Sequence, residues 1–410
     1  MGKLQKLIDD KANAAKYMSA EIEHICKNID KRSPGSEGEK KACEYMADVL
    51  KNDCGCEKVA VESYKENPGS FFGWIYFTVT FVFLGIISYF FLPIVGIVLI
   101  ALGFLIMGMQ FIGYKKFVDC FFPEKTGHNV TAIKSCSGEV KRRIFFNGHP
   151  DAAWEWPVNY HFGGIVYALH IVISVIGALY YLGISIARLV CMGIGYSPVT
   201  EGTWMILGLV GLVFAPFLAG MYKMWDKKVI VDGANDNLTG CYMGIALLKA
   251  MKDQGIELEN TEVGVILSGS EEAGLRGAKA WCEQHKGEFQ DVETIIMSYD
   301  TIHEEKYLQV NDRDLNDTVK ADKAASDLFV DAAKDLGLKC GRGKVPMFGG
   351  ATDSAAFNQA GFRAAGITAL NHNLQDYYHT RRDTYDNLDL DCLANCYAIS
   401  VRALEKFDGE

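Results

Sequence analysis

The stretch Val263–Ala278, VGVILSGSEEAGLRGA, places two carboxylates, Glu271 and Glu272, directly after a short apolar run. Val263 to Leu267 is rich in β-branched residues and is stopped by Ser-Gly-Ser, which predicts a buried core strand of a mixed or parallel sheet. The exit of such a strand is where an open α/β sheet keeps its chemistry. On these residues alone, a solvated Glu-Glu turn at a helix N-terminus is the more ordinary reading. The surrounding chain decides between the two.

The charge balance is −10 over 410 residues, with no Lys/Arg-rich block, so nucleic-acid binding is not expected. The twelve cysteines are scattered and form no CxxC pair of zinc-finger type, which predicts free, reduced thiols. Hydrophobicity is far from uniform. From Phe71 to Gly113 no Lys, Arg, Asp or Glu occurs, and Pro93 divides the run into two segments, each of roughly the 20 residues a spanning helix needs. Gly164–Ala187 and Thr203–Tyr222 repeat the pattern around "GYSPVTEGT". Four transmembrane helices in two hairpins, 71–113 and 163–222, are therefore expected within the lipid bilayer.

Lys65, Lys115, Lys116, Lys223, Lys227 and Lys228 flank the helix ends on the soluble side, whereas the connecting turns carry one basic residue, Arg188. This asymmetry predicts a multi-pass protein with a cytoplasmic soluble part. The N-terminal segment has helical periodicity and acidic residues, not the apolar core of a signal peptide. Residues 1–70, 114–162 and 223–410 together read as one α/β domain, a three-layer sandwich around a mixed sheet. "EKVAVESYK", "HNVTAIKSC" and "KRRIFFNGHPD" are expected as an antiparallel meander, "TIIMSYD" as a further strand, and helices fill the segments between.

The strand exits carry a consistent set of side chains. His149 and Asp151 lie two apart beyond the third strand, and Asp236 sits in the Gly-rich turn "VDGANDNLTG". Glu271, Glu272 and Asp300 end two further strands, and His379 stands in "QDYYHTRRDTYDN". Imidazoles and carboxylates without thiolates suit a pair of zinc ions, and also tolerate manganese or cobalt. Two such cations repel one another, so a bridging carboxylate is needed, and a further carboxylate beside them serves as general base.

"GHPD", "GANDNLTG", "SGSEEAGLRGA", "SYD" and "YYHTRRDTYDNLD", in this order, resemble the co-catalytic di-zinc exopeptidases of metallopeptidase family twenty-eight, the aminopeptidase and glutamate carboxypeptidase group. "EEAGLRGA" and "GGATDSAAF" are also similar to the tetrahedral aminopeptidases of family forty-two. The resemblance spans nearly all of the soluble chain and none of the hairpins. It implies that His149 and Asp300 hold one zinc, Glu272 and His379 the other, and that Asp236 bridges them. It further implies Asp151 orienting His149, Glu271 as general base and then acid, and a cis bond after Asp236. Asp353 matches a position near the substrate pocket, and Tyr377 and Tyr378 are candidates for stabilising the tetrahedral intermediate.

The expected activity is zinc-dependent hydrolysis of a peptide bond, most simply as an aminopeptidase acting on apolar or amphipathic peptides. An N-acyl amino acid or lipid-amide deacylase, or a cyclase, fits the same scaffold, and a non-catalytic membrane scaffold protein is the alternative from another class. If both hairpins rise from the metal-bearing rim, the cleft faces the membrane surface, with Trp154, Trp156 and Trp225 at headgroup level.

Overall fold

The computed structural model describes residues 3–346, 349–371 and 376–409. Eleven strands are present among them: β1 Lys58–Glu66, β2 Lys125–Lys134, β3 Arg142–Gly148, β4 Trp154–Glu155, β5 Asp226–Ile230, β6 Thr261–Ser268, β7 Glu293–Ile302, β8 Gln309–Asp314, β9 Val319–Lys320, β10 Gly341–Lys344 and β11 Arg363–Ala369. The main sheet runs β1-β2-β6-β3-β7-β11-β8-β10, with β9 on β8, while β4 and β5 form a separate pair. Helices cover both faces, which gives the expected α/β architecture.

The sheet corrects one expectation. β2 and β3 do not pair; β6 lies between them, antiparallel to β2 and parallel to β3. Burial explains the insertion, because all eight residues of β6 are buried, as suits a central position with a neighbour on each side. β1 is antiparallel to β2, so β1, β6, β3 and β7 still point the same way. Their C-terminal ends share one edge. Helix Thr239–Asp253 packs across β3 closely enough that a Cβ on Gly148 would lie 2.4 Å from the Cys241 nitrogen. The twelve cysteines are all unpaired, as expected.

Four helices are long and apolar enough to cross a membrane: Ser70–Tyr89, Pro93–Ile112, Pro157–Met192 and Gly202–Lys223. Large apolar side chains such as Ile87, Val98, Ile165, Leu169 and Val190 stand exposed along them. The third helix starts at Pro157, earlier than the apolar run suggests, because Pro fits the first helical position and the backbone breaks only at Gly163, with φ 80°. It also runs past Ala187, so Arg188 belongs to the helix and not to the connecting turn. There it is buried, donates to the Tyr89 carbonyl at the C-terminus of the first apolar helix and stacks on the Tyr89 ring.

Candidate active site

The metal-type residues arrive from three adjacent parallel strands and two loops. β3 leads to His149 and Asp151, β6 to Glu271 and Glu272, and Asp300 lies near the end of β7. The turn Ala234–Leu238 supplies Asp236, whose bond to Asn237 is cis, and His379 comes from the loop after β11. Donor atoms of His149, Asp236 and Asp300 fall within 4.8 Å of one another, as do those of Asp236, Glu272 and His379. Asp236 faces both groups: Oδ1 lies 3.3 Å from His149 Nε2 and Oδ2 lies 3.1 Å from His379 Nε2. Glu272 Oε1 is 3.2 Å from the same His379 nitrogen.

These residues fit a pair of cations. His149 Nδ1 and Nε2, Asp236 Oδ2, Glu272 Oε1 and His379 Nδ1 are buried and form no well-aligned hydrogen bond with another described residue, although several face one another at 3.1–3.3 Å, and buried polar atoms are normally satisfied. The charge pattern agrees. Burial opposes a charge on His379, but Glu272 and Asp236 carry its pKa up to about 10, and His149 is raised well above its usual value in the same way by Asp151 and Asp236. Burial alone would raise Asp236, yet the two imidazoles hold it below the usual carboxylate range. Asp300 is pushed up to about 8 by burial and then by the charge of Asp236. The clustered carboxylates thus favour positive charge on both imidazoles, and a metal bound there would have to displace those protons.

The remaining expected residues fall at different distances from this centre. Glu271 Oε2 lies 3.9 Å from His149 Nε2, and burial raises the Glu271 carboxyl well above its ordinary value. Asp151 has Oδ1 3.3 Å from His149 Nδ1. It also accepts the backbone N–H of Glu271 and of Glu272, each at 3.1 Å, and so fixes the turn that carries both glutamates. Asp353 accepts from Ser268 Oγ at the end of β6 and keeps a buried, unpartnered Oδ1. The Tyr378 ring stacks on His379 with centroids 4.2 Å apart. Tyr377 turns away and packs on His303 at 4.6 Å, so only one tyrosine of the pair adjoins the ligands.

Backbone geometry concentrates strain here. Ser270, Leu275, Thr301 and His379 all adopt left-handed φ between 50° and 60° without being glycine. Each costs about 1–2 kcal/mol and persists only where its surroundings over-determine it, a situation typical of functional sites.

By sequence, no curated protein matches the chain. Residues 225–404 match the model of peptidase family M28. The peptidase-like part of the chain is thus similar, over that segment, to peptidase family M28. Among solved structures, the zinc aminopeptidase BSAP from Bacillus subtilis is 12% identical, with TM-score 0.57 over 96% of this chain and 95% of that one. LapB from Legionella pneumophila is 13% identical, with TM-score 0.55 over 99% and 76%. A glutaminyl cyclase from Bacteroides thetaiotaomicron is 13% identical, with TM-score 0.53 over 97% of each chain. At these identities the likeness establishes the fold.

Sequence alone does not assign to the site three side chains beside it, Arg32, Asp383 and Trp156, the last of which it places only at the membrane surface. Arg32 is buried and donates to the carbonyls of Pro150 (2.7 Å), Asp232 (2.6 Å) and Gly233 (3.1 Å), tying the His149 loop to the Asp236 turn. Asp383 accepts from Asn235 N (2.8 Å), Asn235 Nδ2 (2.9 Å) and Asp236 N (3.1 Å). Trp156 lies edge-on to His379 at 4.2 Å and stacks on Tyr167 of the third apolar helix at 4.7 Å. Asp383 stood inside a quoted motif, whereas Arg32 carried no signal beyond its place before "SPGS".

Two of the tryptophans expected at headgroup level are packed inside the protein. Trp154 and Trp225 are 6% exposed and pack on one another and on Phe72, because the hairpin bases meet the α/β domain there. They form an internal aromatic cluster at the base of the hairpins.

Proposed function

We propose that the chain is a membrane-embedded di-zinc metallohydrolase that cleaves an amide bond, acting as an aminopeptidase on apolar or amphipathic peptides. The observation that carries this is the pair of ligand groups sharing Asp236, with Glu271 beside them. His149 and Asp300 would hold one zinc, Glu272 and His379 the second, and Asp236 would join the two. When bound, the cations supply Lewis acidity toward a carbonyl and lower the pKa of nearby water.

The chain's own groups do the rest. Glu271, held by the bonds from its turn to Asp151, takes a proton from the attacking water and returns it to the leaving amine nitrogen. Asp151 keeps His149 oriented through the second ring nitrogen. Tyr378, stacked on His379 and with its phenol pKa raised by burial and then by Asp236, Asp300, Glu272 and Glu271, would donate to the oxygen on which charge develops. Asp353 offers its unpartnered Oδ1 to the substrate side, and Tyr377 supports the loop of its neighbour through His303.

Three features support a bilayer setting with a cytoplasmic domain: the four apolar helices, the lysines at their soluble ends, and the emergence of both hairpins from the metal-bearing edge. Phe72 of the first helix and Tyr167 of the third both pack on Trp156, next to His379. An apolar wall of this kind favours a substrate with an apolar part. A second reading, N-acyl deacylation or cyclisation, draws on the glutaminyl cyclases sharing the fold.

Turnover of free-amine and N-acylated peptides, short polar and long apolar, by full-length protein in nanodiscs with and without chelator separates these readings. The expected result is chelator-sensitive cleavage favouring free-amine apolar peptides. Glu271→Gln should keep both metals and lower kcat by about 10²–10⁴. Near-normal turnover in that variant would sink the assignment.

A further inference from the structure

The first apolar hairpin is fastened to the turn that carries Glu271. Gly274 closes that turn at φ 94°, and a Cβ there would lie 2.7 Å from Phe71 Cδ2, so the hairpin entry sits directly on the turn. Arg276 pairs with the buried Asp119 at 3.0 Å, and Asp119 accepts from Ser70 (2.7 Å) and Gln110 (3.0 Å), one from each helix of the hairpin. Lys279 donates to the carbonyls of Gly274 (3.1 Å) and Tyr114 (2.8 Å), joining the turn to the hairpin exit. Asn316 completes the frame. It donates to the Ile112 carbonyl at 3.1 Å and exchanges backbone and side-chain bonds with Gly350, which leads to Asp353.

Tyr114 stands at the centre of this frame. Its backbone is left-handed, φ 50°, a conformation a tyrosine adopts only under constraint. The ring is wedged between Phe71, 4.8 Å away, and the Lys279 ammonium, 5.3 Å from its centroid. The residue is 7% exposed, and its hydroxyl, bonded to no other described residue, is not sealed off and so opens onto accessible space. That hydroxyl lies 3.5 Å from where a Cβ on Gly350 would stand. Phe71, on which the ring packs, also touches Gly274 in the Glu271 turn, and the Gly350 segment beside the hydroxyl leads to Asp353, so the residue borders the catalytic side; burial first, and then the charge of Glu271, raise the phenol's pKa. A phenol ring fixed on two sides, with its hydroxyl open to solvent and without a partner among the described residues, can donate to a molecule that enters there.

We propose that the Tyr114 hydroxyl, carried into the cleft by the exit of the first hairpin, hydrogen-bonds the substrate beside Glu271, so that the hairpin is part of the substrate site as well as an anchor. The inference rests on the hydrolase reading above. It makes Tyr114 a specificity-determining residue outside the quoted motifs, on a segment whose position depends on the hairpin.

Tyr114→Phe removes one oxygen and keeps the ring on Phe71 and Lys279. In full-length, zinc-loaded protein in nanodiscs, the variant should retain zinc stoichiometry and melting temperature and lose about tenfold in kcat/KM on the best amide substrate, the worth of one buried hydrogen bond. In a Glu271→Gln background, titration calorimetry with an unblocked leucine-rich hexapeptide should show an affinity loss of similar size on adding Tyr114→Phe. A residue that only packs would change neither quantity, so values within twofold of the parent in both experiments overturn the proposal. A wild type without turnover speaks against the hydrolase reading alone, because the calorimetric comparison still decides the role of Tyr114.

Discussion

Replacing Asp383 by Asn tests how the bridging position is held. Asp383 touches no metal-type donor directly; it accepts the backbone N–H of Asp236 on Oδ2, and on Oδ1 both the N–H and the side-chain amide of Asn235. An asparagine oxygen can keep the Asn235 side, but its NH2 then confronts the Asp236 N–H, donor against donor. One charge-assisted bond is lost, about 1.5–3 kcal/mol, which corresponds to about 10- to 100-fold in an equilibrium. The loss should appear in metal affinity, since the bond orients the turn that presents the shared carboxylate, and outer partners of ligands have effects of this size. The metal-free protein should respond less. Burial, and then the charge of Asp236, push the Asp383 carboxyl up to about 7, so near pH 6 it is largely protonated and Asn mimics it well. Zinc offsets the Asp236 charge and restores the demand for a carboxylate. Competition against a fluorescent zinc chelator on purified full-length protein measures the first quantity, and thermal unfolding in EDTA the second. Zinc affinity within threefold of wild type would refute the argument.

Two further outcomes follow from other parts of the molecule. Ser270 Oγ lies 2.7 Å from Glu39 Oε1 and 2.6 Å from Glu66 Oε1 but has one hydrogen, so one of the two buried carboxyls must supply the other. Burial raises Glu66 to about 7, above its unfolded value, so its stabilising protonated form is complete at low pH and is lost as pH rises through 7. The melting temperature of Glu66→Gln minus that of wild type should therefore widen from pH 5 to 8 in metal-free protein, and a constant or narrowing gap would contradict the shared proton. For sidedness, a tag between Cys191 and Gly202 should be protease-protected in sealed inside-out vesicles while one after Gly409 is cleaved; the reverse pattern would overturn the orientation.

The sequence by itself determined the strands that carry chemistry and the residues at their exits. Short β-branched runs ending in Gly, Ser or an acid, such as Val263–Leu267 before Glu271, are local signals, and so are four charge-free segments of spanning length. Tertiary structure decided which strands are neighbours. β6 enters between β2 and β3, more than a hundred residues away in the chain, and no local pattern encodes such a partner, because pairing depends on which faces are buried together. The far edge, β8, β10 and β11, went unread for a related reason: "QVNDRD" and "GRGK" are polar and short, and count as strands only because neighbours complete their hydrogen bonds. The supporting residues follow the same logic. Arg32 and Asp383 act by capping backbone groups 118 and 148 residues away, and Tyr114 gains its place only when the hairpin base closes on Gly274. A ligand announces itself by its chemistry and its position at a strand exit. The groups that hold it in place are ordinary side chains until the fold surrounds them.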